Sequence, residues 1–369
     1  LRVDFNVPIE KGIILDDFRI QKSLSTIKYL IEQKAKVILM SHLGNPGEKM
    51  DPIFNYLRKI LKIEKALDCI GEEIVEKTKE LEPGTCLLLE NLRKYEEETK
   101  NDREFSKELA KLGDIYINEA FSCSHRLHSS IVGITEFLPS GCGFLLEKEV
   151  RILSKAIENP LKPLVCIIGG VKIDTKIKLI KNLLKKSDEL ILGGELANTI
   201  LRVQGICIGE WPEEKIVNQI QSIDLSQKKV HLPVDVLASP DKSGKIYVRE
   251  SSLAKVRKDE LLLDIGPESI KLFSQIIKKA ETIILAGPLG YFENPLFEKG
   301  TKEIAKAIIK NNSAYKIAGG GDTLFSLSKF DLERGFDHIS TGGGAMLAFL
   351  SGEKLPGLIA LENEDKKLR

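Results

Sequence analysis

Short runs of valine, isoleucine and leucine alternate along this chain with longer segments whose apolar residues recur at helical spacing, and that alternation restricts the fold more than any other feature. The runs fall at 37–40, 85–89, 114–118, 164–168, 189–192, 282–285 and 314–318, and each is followed by a polar or glycine-rich turn. Strands of this kind, separated by helices, make a parallel sheet covered by helices on both faces. The fold class expected is therefore α/β throughout. With 369 residues and 42% hydrophobic content the chain fills about two cores, because single cores stop growing near ~250–300 residues. A helical pattern at 145–158 ends at Asn159 and Pro160, where proline disfavours helix at the residue before it. The junction belongs there, giving a first domain at 1–144, a linking helix at 145–159, a second domain at 160–352 and a tail at 353–369. The opening residues Leu1, Arg2 and Val3 read as the middle of a strand, so a short preceding segment is expected.

Several classes of function are disfavoured. Fifty-five basic and 54 acidic residues leave a formal charge of +1, aromatics are only 6%, and no basic run accompanies them, so no nucleic-acid partner is expected. The six cysteines (Cys69, Cys86, Cys123, Cys142, Cys166, Cys207) form no CxxC pair and read as reduced core residues rather than zinc ligands. No apolar stretch approaches the ~18 residues of a membrane span, and no signal-peptide pattern is present, so a cytoplasmic protein is expected.

The unusual residues fall where open parallel sheets bind ligands, beyond the carboxyl ends of the strands. In the first half these turns carry Asp4 and Asn6, then His42, then Arg93, then His125 and Arg126, with Arg19 just ahead of a helical segment. One such arginine is ordinarily a solvated side chain. Several at strand exits together suit a small, multiply charged anion, because guanidinium forks match phosphate and carboxylate. In the second half the exits are glycine clusters: Gly169 and Gly170, Gly193 and Gly194, Gly287 and Gly290, Gly319 to Gly321, and Gly342 to Gly344. Five such clusters point to a polyphosphate ligand, since glycine lets phosphate approach the backbone. Lys172 and Lys176, four residues apart, face one anion if they share a helix, and are solvated lysines otherwise. Asp322, after three glycines, is either a magnesium ligand between phosphates or a helix cap. Neither GxxxxGK[ST] nor GxGxxG occurs at these turns, which speaks against a P-loop site and a dinucleotide site.

Taken in order, these clusters resemble the phosphoglycerate kinase family along essentially the whole chain. The signature RVDFNVP is complete at 2–8, and counterparts of SHLG, ENLR, GGxK, GPxGxFE, GGGDT and STGGGA follow in the family's order. The resemblance implies two Rossmann-like domains, each a parallel sheet flanked by helices, facing each other across a hinged cleft, with the tail packing back on the first domain. It implies phosphoryl transfer between ATP and the carboxylate of 3-phosphoglycerate, giving ADP and 1,3-bisphosphoglycerate, with Mg2+, in a monomer. By the same resemblance Asp4 and Asn6 contact the hydroxyl-bearing part of the substrate, His42, Arg93 and Arg126 its phosphate, and Arg19 its carboxylate. Lys176, Gly266, Pro288, Glu293, Gly320, Gly321, Asp322 and Thr323 match positions that hold the nucleotide, with Glu293 on the ribose and Asp322 on magnesium. Lys172 follows the transferred phosphoryl group, and Gly343 and Gly344 begin the helix that faces it.

The chain departs from the family pattern at Asn45, where an arginine is usual, at Asp174 and Thr175, at Glu195 in place of a glycine, at Ala286 in place of an asparagine, and at Glu119 in place of an aspartate. Glu195 sets a carboxylate toward triphosphate. These changes leave one alternative, a non-catalytic nucleotide- or anion-binding paralogue of the same fold. Turnover itself needs no general base, because the acceptor carboxylate is already ionised near neutrality.

Overall fold

A computed structural model describes residues 1–171, 173, 176–206 and 210–368, the last six as backbone only. The chain forms two compact units, Leu1–Arg151 with Lys354–Arg369, and Ile152–Glu353. The division between them falls inside the helix Phe144–Glu158.

The first unit opens with a hairpin, β1 (Ile9–Glu10) and β2 (Ile13–Ile14). Its sheet is built from β3 (Val37–Leu39), β4 (Ile63–Lys65), β5 (Cys86–Leu88), β6 (Tyr116–Asn118) and β7 (Ser140–Cys142). The parallel order β3-β5-β4 and the parallel pair β6-β7 are joined through Arg2, which bridges Met40 on one side and Asn118 on the other. The first three residues thus serve as the strand between the two groups: Val3 N–H donates to Met40 O (3.0 Å) and Arg2 N–H to Ile117 O (2.8 Å). Val3, Phe5, Leu39, Leu88 and Ile27 of the helix Phe18–Glu32 meet in one core, and Leu87, Leu89, Phe105, Leu109 and Tyr116 in another. Removing each such side chain from water contributes roughly 1.5–3 kcal/mol, which is why the apolar runs were legible as strands. The tail helix Pro356–Leu368 lies in this unit, with Leu361 against the second core and Gly357 N–H donating to Ser124 O (2.9 Å).

The second unit holds β8 (Leu164–Ile168), β9 (Glu189–Leu192), β10 (Val230–His231), β11 (Asp235–Ser239), β12 (Arg249–Ser252), β13 (Leu261–Ile265), β14 (Thr282–Ala286), β15 (Tyr315–Ala318) and β16 (His338–Ile339). Six of them form a parallel sheet in the order β10-β9-β8-β14-β15-β16. All five residues of β8 and of β14 are buried, as strands covered on both faces must be. The remaining three make a separate antiparallel sheet, β12-β11-β13, with a register shift at Leu237 and Ala238. The sequence reading of parallel strands throughout did not include it. Among the described residues no helix is long and apolar enough to cross a membrane. Cys69, Cys86, Cys123 and Cys166 are buried and outside any disulfide, as expected of core thiols, but Cys142 is exposed at the end of β7. Cys207 lies outside the described residues.

Candidate active site

In the first unit the carboxyl ends of β3, β5 and β6 and the segment after Val3 converge on Asp4. Asp4 is buried, and its Oδ2 accepts from Arg19 Nη1 (2.8 Å) and from the Ser122 hydroxyl. Arg19 Nη1 also donates to Asn6 O (3.0 Å), so one guanidinium nitrogen ties the opening loop to the helix Phe18–Glu32. Burial alone would raise the Asp4 carboxyl, but the Arg19 charge, the Ser122 hydrogen bond and the Arg2 charge outweigh it and hold the group below its ordinary value, ionised. Asn6 Oδ1 accepts from Gly44 N–H (2.9 Å), and Arg93 Nη1 donates to Gly44 O, which brings the turn after β3 against both.

That turn is organised by Asn91, a residue the sequence reading passed over. Fully buried, it accepts from Leu43 N–H (3.0 Å) and Arg93 N–H (3.1 Å) while its amide donates to Leu43 O, Asn45 O and Glu48 O. An asparagine offers both donor and acceptor on one planar group, so it can satisfy a whole turn of backbone. Asn45, at the position where the family carries arginine, faces Glu48 through its own N–H (3.1 Å). Arg126 is exposed one turn beyond the short helix Phe121–Cys123.

Beneath the loop sits a second overlooked residue. Arg2 is 1% exposed, and its guanidinium donates to Ser130 Oγ (2.8 Å), to Val3 O and to His42 Nδ1 (3.1 Å). His42 is itself buried, and burial followed by the Arg2 charge pushes its pKa down to about 3, so it is neutral although its Nδ1 lies 4.0 Å from Asp4. Asp4, His42 and Cys123 bring ligand atoms within 4.8 Å of one another, but Arg2 already donates to both His42 and the Cys123 sulfur (3.7 Å), so a cation occupies the place a metal would take. A cavity of about 610 Å³ opens elsewhere in this unit, at the amino ends of β3 and β6 around Val37, Asp114 and Tyr116, away from these groups.

In the second unit the carboxyl ends of β9, β8, β14 and β15 lie side by side, and their glycine turns are knitted together by backbone. Gly169 N–H donates to Ala286 O (3.1 Å), Gly170 N–H to Pro288 O (2.8 Å), Gly194 N–H to Leu289 O (3.1 Å), and Leu196 N–H to Gly170 O (3.1 Å). The approach is close enough that a Cβ on Gly169 would stand 2.0 Å from Pro288 O. Lys176 is buried with its ammonium on Gly169 O, and burial, opposed only by the charge of Asp322, lowers it to about 8. The helix there begins at Ile177, directly after Lys176. Lys172, Asp174 and Thr175 lie outside the described residues.

The helix Gly321–Lys329 is capped by Gly320 at φ 105°, leaving Asp322 exposed in its first turn rather than at the cap. Thr323 is buried and accepts from Gly287 N–H (2.7 Å). One exposed carboxylate beside glycine backbone is a donor set that suits magnesium, which binds one or two carboxylates and completes its shell with phosphate and water. Gly343, at φ 48°, begins the helix Gly344–Leu350 with open space around it. Gly266 begins the helix Pro267–Ile277, whose first amides donate to Asp235 (Ser269 N–H, 2.8 Å; Glu268 N–H, 3.0 Å). Glu293 is exposed beside buried Phe292. Glu195 is neutralised along its own helix, Gly194–Val203, by Arg202 Nη1 (2.6 Å) and Asn198 (3.1 Å).

A family model described as phosphoglycerate kinase matches residues 1–353. The phosphoglycerate kinase of Dictyoglomus turgidum is 42% identical over 381 residues, which cover 99% of this chain and 95% of that relative. That of Pelotomaculum thermopropionicum is 41% identical, with 98% and 95% covered. The solved phosphoglycerate kinase structure from Coxiella burnetii superposes with a TM-score of 0.85 at 37% identity, covering 98% of this chain and 95% of that one. That from Pyrococcus horikoshii gives 0.86 at 33% identity, covering 99% and 96%.

Proposed function

Because this chain belongs to the phosphoglycerate kinase family, we propose that its first unit takes 3-phosphoglycerate and its second the nucleotide, with the site residues dividing the work as follows. The reaction is phosphoryl transfer between ATP and the carboxylate of 3-phosphoglycerate, giving ADP and 1,3-bisphosphoglycerate, a step of glycolysis. Arg19 receives the acceptor carboxylate. Both of its contacts use Nη1, and the other arms of the fork are what a carboxylate takes in bidentate pairing. Asp4 and Asn6 read the hydroxyl-bearing carbon, and His42, Arg93 and Arg126 hold the phosphate end. The convergence of Asp4, Asn6, Arg19 and His42 at the strand ends is the observation that carries this reading.

On the nucleotide side, Lys176 gains its full charge when phosphates arrive, because an anion offsets the burial that now depresses it. Gly320, Gly321 and Thr323 let the phosphate chain approach the backbone, Gly266 and Pro288 flank the nucleoside, and Glu293 takes the ribose hydroxyls. Asp322 would hold Mg2+, which when bound supplies positive charge between phosphate oxygens. Lys172, Arg19 and the amides at Gly343 and Gly344 stabilise the charge that spreads over the moving phosphoryl oxygens, an electrostatic role with no covalent intermediate. No residue need act as general base. The carboxylate of Glu195, which suggested a non-catalytic paralogue, is offset by Arg202, and the chemistry stays with the kinase. We further propose a monomer working in the cytoplasm, which sedimentation and cell fractionation check.

The test is a coupled assay of the purified chain with 3-phosphoglycerate, Mg2+ and either ATP or GTP, detecting 1,3-bisphosphoglycerate by its reduction. Saturable turnover with ATP is expected. A folded protein that binds nucleotide without forming product would refute the assignment.

A further inference from the structure

We propose that Arg2 is a positioning residue that fixes His42 in its neutral tautomer with the hydrogen on Nε2, so that His42 meets the substrate phosphate as an uncharged donor. The inference rests on the phosphate role assigned to His42 above.

A guanidinium is always charged and can only donate. Arg2 Nη2 stands 3.1 Å from His42 Nδ1, so that ring nitrogen must present its lone pair. A neutral imidazole carries one hydrogen, which is then on Nε2. The donor cannot turn away, because each nitrogen of the Arg2 fork is engaged: Nε on Ser130 Oγ, Nη1 on Val3 O, Nη2 on the ring and on the Cys123 sulfur. Ser130 is fixed in turn by Glu98, a fully buried carboxyl that accepts from its amide (2.9 Å) and its hydroxyl (2.5 Å). A chain of contacts therefore runs from Glu98 through Ser130 and Arg2 to His42.

The charges facing the ring point the same way. Arg2, Arg93 and Arg19 oppose a charged imidazole, while Asp4 favours one, and Cys123 lies alongside. Asp4 is already bound by Arg19 and Ser122 and is 4.0 Å from the ring, too far for a hydrogen bond. Burial first, and then three cations against one shared carboxylate, keep the ring neutral. A phosphate contact of this kind does not change as pH falls from 8 to about 5, whereas an ordinary histidine gains charge near ~6.5 and binds anions more tightly below it.

Long-range 1H–15N correlation on histidine-labelled, ligand-free protein reads the tautomer directly, with the His42 signal identified by its loss in His42→Gln. A neutral ring protonated on Nε2 from pH 5 to 8 is expected. Hydrogen on Nδ1, or titration near ~6.5, overturns the proposal. The same spectra of Arg2→Met and Arg2→Lys give a second measurement. Arg2→Met is expected to place hydrogen on Nδ1 in a readable share of the rings, because no donor then holds that nitrogen, and Arg2→Lys to keep it on Nε2. A folded Arg2→Met protein with hydrogen on Nε2 alone also overturns it. If His42→Gln leaves the KM for 3-phosphoglycerate unchanged while the Nε2 tautomer is seen, the phosphate role fails and the tautomer assignment stands.

Discussion

The two units make their ligand sites from different materials. In the first, side chains from four segments far apart in sequence, Asp4, Arg19, His42 and Arg93, meet at one place, and the backbone behind them is ordinary. In the second, the candidate site is made of backbone: glycine turns at the ends of β9, β8 and β14 lie so close that side chains are excluded at Gly169, Gly194 and Gly287. The ligands proposed for the two units account for the contrast. A small acid with a phosphate, a hydroxyl and a carboxylate in fixed relation is recognised by forks and acceptors of matching geometry, while a row of phosphates is recognised by amides. The first kind of site should fail in function when trimmed, and the second should fail in folding.

The largest effect tests the first half of that contrast. Arg19→Met removes the carboxylate fork and one of the charges facing the transferred group, and is expected to lower kcat/KM by about 10³-fold, the scale of one lost transition-state donor. Its melting temperature should fall by no more than several degrees: Asp4 loses its strongest partner, but Ser122 and the Arg2 charge still support that carboxylate and Arg19 is partly exposed. A comparable loss of stability would mean that this unit too builds its site into its fold. The mirror experiment is Gly169→Ala. The new methyl meets the Pro288 carbonyl at 2.0 Å, a backbone atom that cannot rotate away, so a destabilisation of about 3 kcal/mol or more is expected by denaturant melting. Near-native stability would show that the glycine turns are looser than their hydrogen bonds suggest.

The sequence disclosed these two kinds of site unevenly. β3, β5, β6, β8, β9, β14 and β15 were readable because burial demands unbroken apolar runs, as in β8 and β14, whereas β4, β7, β10 and β16 were missed, their few residues including polar or glycine positions. The antiparallel sheet was not, because β12 is Arg249, Glu250, Ser251 and Ser252, with no apolar residue to mark it. Arg2 was visible as part of a motif but not as a buried cation, since a one-residue bridge between Met40 and Asn118 has no periodicity to reveal it. Asn91, likewise, works through backbone contacts that no spacing encodes. The pair Glu195 and Arg202 was legible in principle, being two helical turns apart, and the cap alternative for Asp322 stayed open only because the left-handed turn at Gly320 is a backbone property.

Each unit also hides a carboxyl that burial lifts to about 7, which sharpens the comparison. Glu119 is buried after β6, accepting from Thr26 and from the amides of Leu145 and Leu146, and burial pushes it up to about 7 despite those donors. Asp264 is buried at the end of β13, accepting from Gly300 N–H (2.7 Å) and Ile265 N–H (2.9 Å), and burial again lifts it to about 7. Both are raised above their unfolded values, so each contributes stability that is complete below pH ~4 and lost as pH rises to about 7. The difference is on the order of 3 kcal/mol per group. Glu119→Gln and Asp264→Asn should each flatten the decline in stability between pH 4.5 and 7, seen in denaturant midpoints across that range. If Glu119→Gln leaves the decline unchanged, the amides at the start of the helix Phe144–Glu158 hold that carboxylate ionised.

The smallest effect bears on Glu195, a carboxylate at the edge of a backbone-built site that also holds Lys176 and Asp322. Arg202 is 13% exposed and reaches Glu195 at 2.6 Å, so the pair presents little net charge to a nucleotide. Arg202→Met leaves the carboxylate uncompensated, and the KM for ADP is expected to rise about threefold, below one kcal/mol, because Glu195 remains partly solvated. Glu195→Gln alone should change KM by less than about twofold, and the double variant should return close to wild type, since two residues in contact are coupled rather than additive. If instead Glu195→Gln by itself lowers the KM several-fold, the carboxylate acts on the phosphates despite its partner. The second unit would then be reading its ligand with a side chain after all, and the division between the two kinds of site would hold only for its glycine turns.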